Sequence, residues 1–305
     1  MKKIRKIAAA LLAVLLLAGC AAPAGGAEGD SRVKVVATLF PQYDFARQIA
    51  GEHADVTLLL PPGVESHSYE PTPADIIKIG NADLFFYTGE YMEPWAEKIL
   101  AGAGDGVRAV DLSAHVTLER DADGDGHDHG GYDPHIWTDP QNAKVMVDDI
   151  AAALCAADSE NAGEYQTGAA EYKDRLDALD ERFSEVVETG RRREIVFGGR
   201  FALHYFAERY GLTCISAFDS CSGETEPSAG AVAQIIRAIE TDGVPVIYYE
   251  ELTDPKVARS IAEETGAKPL LLHSCHNVSK EELQDGATYL SLMERNVENL
   301  REGLN

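Results

Sequence analysis

The chain has 305 residues, of which 45% are hydrophobic and 26% are charged, so its composition is that of a globular protein and excludes the disordered and collagen-like classes. At about 100 to 200 residues per domain, this length suggests two domains. The 51 acidic and 27 basic residues give a formal charge of -24. A surface this negative argues against a nucleic-acid partner and favours a cationic ligand, because it repels phosphates and concentrates cations.

The first 19 residues have the pattern of an export signal. Four basic residues within positions 2–6 precede the apolar run 7–17, which is too short to span a bilayer permanently. The run ends in Leu17-Ala18-Gly19-Cys20, which resembles the bacterial lipobox, where cleavage leaves the cysteine as the lipid-modified first residue. We therefore expect residues 1–19 to be a lipoprotein signal peptide. Lipid on Cys20 would anchor the protein to the outside of the bacterial cell membrane.

Residues 20–32 are expected to form a flexible tether. This stretch is rich in alanine and glycine, has no apolar period and lacks the bulk to pack. The folded body is therefore predicted to begin at Val33.

Strands and helices are predicted to alternate through the body. Apolar runs predict strands at 33–39, 56–60, 84–87 and 107–112, and again at 195–197, 214–217, 244–249 and 269–272. Helical patterns occupy 41–50, 73–79, 92–100 and 140–155, and later 200–210, 228–241, 255–265 and 288–300. This alternation predicts an α/β fold of two lobes, each with a mostly parallel sheet flanked by helices. The lobes would comprise residues 33–160 and 191–305.

One long helix is predicted between the two lobes. Its apolar residues recur every three or four positions along one face, at Tyr165, Ala169, Tyr172, Leu176, Leu179, Phe183 and Val186. At 1.5 Å per residue it would extend about 40 Å, which exceeds the needs of one small sheet. We interpret residues 161–190 as a rigid connector helix.

Three of the nine histidines are candidate metal ligands. His67 lies in a loop beyond a predicted strand, His135 lies between an acidic loop and a helix, and His273 directly follows the last predicted strand. Ligands of open α/β sheets bind beyond the carboxyl ends of the strands, so His67 and His273 would face a crevice between the lobes. Imidazoles converging there would suit zinc better than manganese, which prefers oxygen donors.

A polar segment at 121–131 contains His127 and His129 among four aspartates. Such a tract is expected to collect metal ions weakly. It includes an Asp-x-Asp-Gly pattern, but it lacks the glutamate at the twelfth position and the flanking helices of a calcium-binding EF-hand. The segment therefore favours auxiliary metal capture over a calcium site.

Five motifs together resemble one protein family. They are GVESHSYEP at 63–71, DPHIW at 133–137, YFAERYGL at 205–212, EPS at 226–228 and YLSLMERNV at 289–297. In this order they resemble the metal-binding lipoproteins of zinc and manganese ABC transporters, the solute-binding proteins of cluster A-I. The resemblance extends from about Val33 to the end of the chain. It implies two α/β lobes joined by a long helix, with a metal held between them by two side chains from each lobe.

Carried over by position, the resemblance assigns His67 and His135 as the ligands from the first lobe. In the second lobe, Arg200 stands where the family usually has histidine or glutamate, and a guanidinium has no lone pair with which to bind a metal. The remaining ligand, usually aspartate, falls at His273. Arg200 would instead pair with a carboxylate facing the crevice or lie at a surface helix start.

The identity of the fourth donor stays open at this stage. Water, Glu224, Glu250, His204 and Cys275 are all candidates to complete the shell around His67, His135 and His273. Four cysteines remain besides Cys20, namely Cys155, Cys214, Cys221 and Cys275, and export permits disulfides among them. Cys221 and Cys275 are the expected pair, since both lie in loops just beyond strands of the second lobe.

The sequence predicts a monomeric, lipid-anchored solute-binding protein that captures zinc and delivers it to an ABC permease. Two other functions remain open: a zinc hydrolase using the same three histidines, and a surface adhesin or metal-storage lipoprotein. The hydrolase reading lacks a His-Glu-x-x-His motif and a marked general base. We therefore expect a protein that is not an enzyme.

Overall fold

The first lobe contains a parallel sheet whose strands are β1 (Val33–Ala37), β2 (Ala54–Leu58), β3 (Leu84–Tyr87) and β4 (Arg108–Asp111). Their order is β2-β1-β3-β4, and every pairing is parallel. The central strands β1 and β3 are almost entirely buried, as expected for strands covered on both faces by helices. These helices are α1 (Phe40–Ala50), α2 (Pro73–Gly80), α3 (Ala96–Ala103) and α4 (Pro140–Ala157).

The second lobe repeats this topology. Its strands are β5 (Glu194–Phe197), β6 (Thr213–Ser216), β7 (Val246–Tyr249) and β8 (Lys268–Leu271), in the order β6-β5-β7-β8 and all parallel. Following the connector helix α5 (Ala162–Thr189), the helices of this lobe are α6 (His204–Tyr210), α7 (Ala229–Asp242), α8 (Lys256–Thr265), α9 (Lys280–Gln284) and α10 (Tyr289–Leu304). The carboxyl ends of both sets of strands carry the loops that build the site.

The connector helix α5 (Ala162–Thr189) spans 28 residues. All seven residues of its predicted apolar stripe are buried. Tyr172 packs on Phe45 of the first lobe with ring centroids 5.5 Å apart, whereas Phe183 packs on Phe206 of the second lobe at 4.8 Å. One face of a single helix therefore contributes to the cores of both lobes.

A second helix, α10, also joins the lobes. The backbone N–H of Tyr289 donates to Asp44 Oδ2 at 2.8 Å, and its hydroxyl donates to the carbonyl oxygen of Trp137 at 2.6 Å, so both bonds reach the first lobe. Further along α10, Asn296 holds the backbone of His273 in the second lobe. The sequence pattern predicted this helix but not its contact with both lobes.

Two helices depart from the prediction in ways that affect the site. The helix expected at 200–210 begins at His204, so Arg200 lies in the loop after β5 and does not share a helix face with His204. The short helix α9 was not predicted; a capping box formed by Ser279 and Glu282 starts it, and it ends after five residues.

The computed structural model describes residues 32–103, 106–120, 131–218 and 227–305, and Val33–Asn305 forms one compact unit. The predicted signal peptide, Cys20, nearly all of the tether, the metal-collecting segment at 121–130, Cys221 and Glu224 lie outside these ranges. Within them, none of the helices combines the length and the apolar character that crossing a membrane requires.

Candidate metal centre

The loop that carries His67 follows β2 at the carboxyl end of the first sheet. The carboxylate of Glu65 accepts hydrogen bonds from the backbone N–H groups of His67 at 3.0 Å and Ser68 at 2.9 Å, which closes a tight local turn. His67 is half-buried. The turn fixes the backbone from which its imidazole projects.

The same loop is tied to the second lobe. The amide of Asn277 donates to the carbonyl oxygens of Pro61 at 2.8 Å and Val64 at 2.9 Å, and the N–H of Gly63 donates to the carbonyl of Val278 at 2.8 Å. The loop after β8 is therefore held directly against the loop that carries His67.

His135 is completely buried and is oriented by Asp133. Its Nδ1 lies 2.7 Å from Asp133 Oδ1, which also accepts the backbone N–H of His135 at 2.7 Å. Burial alone would raise the pKa of Asp133, but the adjacent imidazole and these hydrogen bonds lower it. An ionised Asp133 favours a proton on Nδ1, which leaves the Nε2 lone pair of His135 free for a metal.

His276, in the loop after β8, completes a three-histidine cluster with His67 and His135. One ligand nitrogen from each of the three lies within 4.8 Å of the others, and the Nε2 atoms of His67 and His135 are 3.3 Å apart. The ring centroid of His276 is 5.2 Å from that of His67 and 4.4 Å from that of His135. The cluster therefore contains side chains from both lobes.

The surroundings of His276 favour a neutral imidazole, which can bind a metal through a ring nitrogen. Its Nδ1 contacts the Ser274 hydroxyl, which in turn bonds to Glu251 Oε1 at 2.5 Å. Its Nε2 is buried and has no hydrogen-bond partner within the described residues. Burial, followed by the charges of His135, His67 and Arg200, holds the pKa of His276 well below its usual range. A buried nitrogen with an unused lone pair beside two other imidazoles fits a bound cation such as zinc.

A cavity of about 100 Å³ adjoins the three-histidine cluster, and its lining includes His67, His276, Arg200, Glu250 and Ser274. Arg200 Nε lies 3.2 Å from Glu250 Oε1, so Arg200 pairs with a carboxylate facing the crevice, one of its two expected roles. Glu250 Oε2 is buried and lacks a hydrogen-bond partner among the described residues. Burial, opposed by Arg200, raises the pKa of Glu250.

The structure brings His67 and His135 together as expected, but it does not place His273 with them. His273 is 1% exposed and its ring lies between two carboxylates, with Nδ1 3.5 Å from Glu251 Oε2 and Nε2 3.8 Å from Glu282 Oε1 of α9. Between His273 and His276 the backbone adopts a left-handed conformation at Cys275, which has a φ of +64°. The later histidine therefore turns into the crevice and the earlier one turns away.

The other candidates for the fourth donor also have defined positions. His204 Nε2 lies 3.4 Å from Glu119 Oε2, in a separate group. Cys275 is fully buried in the hydrophobic core and forms no disulfide with another described cysteine, and burial raises the pKa of its thiol well above the usual range. Its expected disulfide partner Cys221 and the candidate ligand Glu224 lie outside the described residues. Of the proposed side chains that the structure describes, Glu250 is the one that lines the cavity.

His276 is the ligand candidate that sequence reasoning missed. The available signal was a second histidine three residues after His273. Spacing alone does not distinguish the two, because the choice depends on the backbone conformation at Cys275.

The sequence and the fold both match known proteins. A family model described as ZnuA, zinc-uptake complex component A, periplasmic, matches residues 35–303. The high-affinity zinc uptake system protein ZnuA of Bacillus subtilis (strain 168) is 34% identical over 304 residues, which cover 95% of this chain and 94% of that protein.

Two further matches are to AdcA of Streptococcus pneumoniae. The zinc-binding lipoprotein AdcA of serotype 4 is 31% identical over 312 residues, covering 99% of this chain but 61% of AdcA. The crystal structure of the Zn(II)-bound ZnuA-like domain of AdcA has a TM-score of 0.76 at 30% identity, covering 90% of this chain and 99% of that domain. These matches confirm the predicted two-lobed α/β fold. The chain belongs to the ZnuA family of zinc-uptake components.

Proposed function

We propose that this protein captures a zinc ion between its two lobes and delivers it to the membrane permease of an ABC transporter. The observation that carries the proposal is the convergence of three imidazoles from both lobes, with His135 oriented by Asp133 and a buried Nε2 on His276 that has no partner among the described residues. Zinc as the cargo agrees with the zinc uptake of the B. subtilis relative and the zinc binding of the S. pneumoniae relative.

Three neutral nitrogen donors favour zinc over manganese, which prefers harder oxygen ligands. In this proposal His67, His135 and His276 bind the ion. The fourth donor is an oxygen reached from the adjoining cavity, either water or the free oxygen of Glu250. Arg200, which pairs with Glu250, sets the position of that carboxylate without binding the metal.

The N-terminal segments would determine where the protein is located in the cell. Residues 1–19 would direct export, lipid on Cys20 would hold the protein at the membrane, and residues 20–32 would let a monomeric body reach its permease. The lobes are assigned to 33–160 and 191–305, with 161–190 as the connector. The relative AdcA, a zinc-binding lipoprotein, supports the lipid anchor.

We propose that the protein is not an enzyme, because its family is a transport component. The hydrolase and adhesin or storage alternatives are not favoured. Glu65, a carboxylate beside the cluster, already accepts two backbone hydrogen bonds, so it is poorly placed to act as a general base. Zinc-loaded protein assayed with ester and peptide substrates should give no turnover above that of free zinc.

Calorimetric titration with zinc tests the ligand set. His135→Ala and His276→Ala should each weaken the tightest binding step by at least about 100-fold, because each removes one of three metal bonds. His273→Ala should leave that step within about threefold, since its ring faces Glu282 and not the cluster.

His115→Ala is the matched control, because His115 is an exposed histidine paired with Asp149 outside the cluster. Circular dichroism would establish that each variant is folded. A large loss in His273→Ala together with none in His276→Ala would overturn the proposed ligand set. Zinc-dependent co-purification of the wild-type protein with an ABC permease tests delivery.

A further inference from the structure

A second group of potential metal ligands lies apart from the three-histidine cluster. Glu119, His204 and Glu208, hereafter the Glu–His–Glu cluster, each place one donor atom within 4.8 Å of the others. His204 Nε2 is 3.4 Å from Glu119 Oε2 and 3.7 Å from Glu208 Oε2. No residue is shared with the three-histidine cluster.

The Glu–His–Glu cluster is assembled from both lobes. His204 and Glu208 are four residues apart on α6, so they project from the same face of that helix. Glu119 comes from the first lobe, in the segment that follows β4. Glu119 therefore reaches the imidazole of His204 across the boundary between the lobes, whereas Glu208 reaches it from the same helix.

The backbone around the cluster is locked by Tyr205. Its hydroxyl accepts the N–H of Glu119 at 3.0 Å and donates to the carbonyl of Asp133 at 2.7 Å. The N–H of Asp133 in turn donates to the carbonyl of Glu119 at 3.0 Å. A cation bound here would therefore meet preorganised ligands.

Glu119 lies among acidic groups, and His204 is the basic side chain paired with it. Its Oε2 is buried and makes no hydrogen bond within the described residues. Burial, then hydrogen bonding and repulsion from Glu208 and the charge of Asp133, raises the pKa of Glu119 to about 7. The arginines next in sequence to the two carboxylates are engaged elsewhere: Arg209 pairs with Asp139 and Asp180, and Arg120 lies over the Tyr132 ring.

We propose that Glu119, His204 and Glu208 form a second divalent-cation site, with water filling the remaining coordination positions. One imidazole and two carboxylates bind zinc and also accept harder ions such as manganese. The side chain of Glu208 is 61% exposed, so ions can reach the site from solvent. With fewer nitrogen donors and partial exposure, it binds zinc more weakly than the three-histidine cluster.

Zinc stoichiometry of the mature chain tests this site. Equilibrium dialysis followed by metal analysis should give one zinc fewer per chain for Glu119→Gln and Glu208→Gln than for the wild type, at zinc concentrations that fill both sites. Each change should weaken the second binding step at least tenfold and leave the tightest step unchanged. Glutamine keeps the side-chain shape, so the variants are expected to fold.

Reciprocal changes separate this proposal from the proposed function. His135→Ala should lose the tightest step and retain the second one. The His115→Ala variant lacks an exposed histidine that is paired with one carboxylate. It should retain both zinc-binding steps. Zinc-edge anomalous diffraction from zinc-soaked crystals should place a peak among Glu119, His204 and Glu208. The absence of that peak, or an unchanged second step in both glutamine variants, would overturn the second site.

Discussion

Glu93 is a carboxyl group buried in the first lobe, 3% exposed, at the carboxyl ends of β1 and β3. It accepts hydrogen bonds from the Thr38 hydroxyl and, at 2.9 Å, from the N–H of Thr88. Gln42 links the two threonine side chains. Burial raises the pKa of Glu93 to about 8 despite these hydrogen bonds, so the folded protein keeps this group protonated at neutral pH.

This raised pKa predicts a pH-dependent stability. Between the ordinary value of 4.5 and about 8, the folded state binds one proton more than the unfolded state. The stabilisation is complete below pH 4.5 and is lost as the pH rises through 8, with a slope of up to about 1.4 kcal/mol per pH unit. Glu93→Gln removes this titration while keeping the shape of the side chain.

Thermal unfolding of the wild type and Glu93→Gln from pH 5 to 9 provides the measurement. The difference in melting temperature between the two proteins isolates the effect of Glu93 from that of other titrating groups. As the pH rises, the melting temperature of the variant should increase relative to that of the wild type. Parallel pH profiles would contradict the buried, protonated carboxyl.

At the level of elements, the connector helix α5 stabilises both lobes through one apolar face. Phe183 is fully buried, and its ring centroid lies 4.8 Å from that of Phe206 and 5.4 Å from that of Tyr210. On the opposite side of the helix Glu181 is exposed. The contrast allows the contribution of the buried face to be measured against that of the solvent face.

Phe183→Ala should lower the free energy of unfolding by about 3–5 kcal/mol, because it removes a large buried ring and leaves a cavity. Glu181→Ala should change it by less than about 0.5 kcal/mol. Urea denaturation followed by circular dichroism measures both. Equal effects of the two substitutions would mean that α5 does not hold the second lobe through this face.

At the scale of the whole molecule, the metal centre lies where the loops of the two lobes are cross-linked. Trp137 Nε1 donates to the Ser274 carbonyl at 2.7 Å, and Asn277 holds the loop that carries His67. Together with α5 and α10, these bonds make the position of each lobe depend on the other. The ligands are thereby held close together before any ion arrives, which favours tight binding.

Deletion of residues 121–131 should leave the tightest zinc-binding step unchanged and reduce zinc accumulation by cells when zinc is scarce. The histidines and aspartates of this segment can collect ions, whereas the three-histidine cluster is built from other loops. Calorimetry and cellular uptake of radioactive zinc measure the two effects. Loss of the tightest step on deletion would make the segment part of the main site.

Cys20→Ala should prevent lipid attachment and release the exported protein from the membrane fraction, since the predicted lipid is its anchor. Cys155→Ala is the control, because Cys155 belongs to the folded body in α4. Fractionation and detergent partitioning of both variants provide the measurement. Retention of Cys20→Ala in the membrane fraction would refute the predicted anchor.

Local patterns in the sequence were enough to predict the two-lobed α/β fold and the apolar stripe of α5. Strand and helix periodicities depend on neighbouring residues, so they can be read from the chain alone. The loop that carries His67 was predictable for a similar reason, since parallel strands deliver their following loops to one edge of the sheet. His135 was assigned from the family resemblance instead.

The second-lobe ligand and the Glu–His–Glu cluster were decided by tertiary structure. The proposal of His276 instead of His273 depends on the left-handed backbone at Cys275 and on the His273 ring facing Glu282 of α9. Glu119 and His204 are 85 positions apart and meet because Tyr205 binds the backbone of both Glu119 and Asp133. Sequence periodicity specifies which residues form an element, whereas side-chain direction in a loop and contacts between lobes depend on how the elements pack.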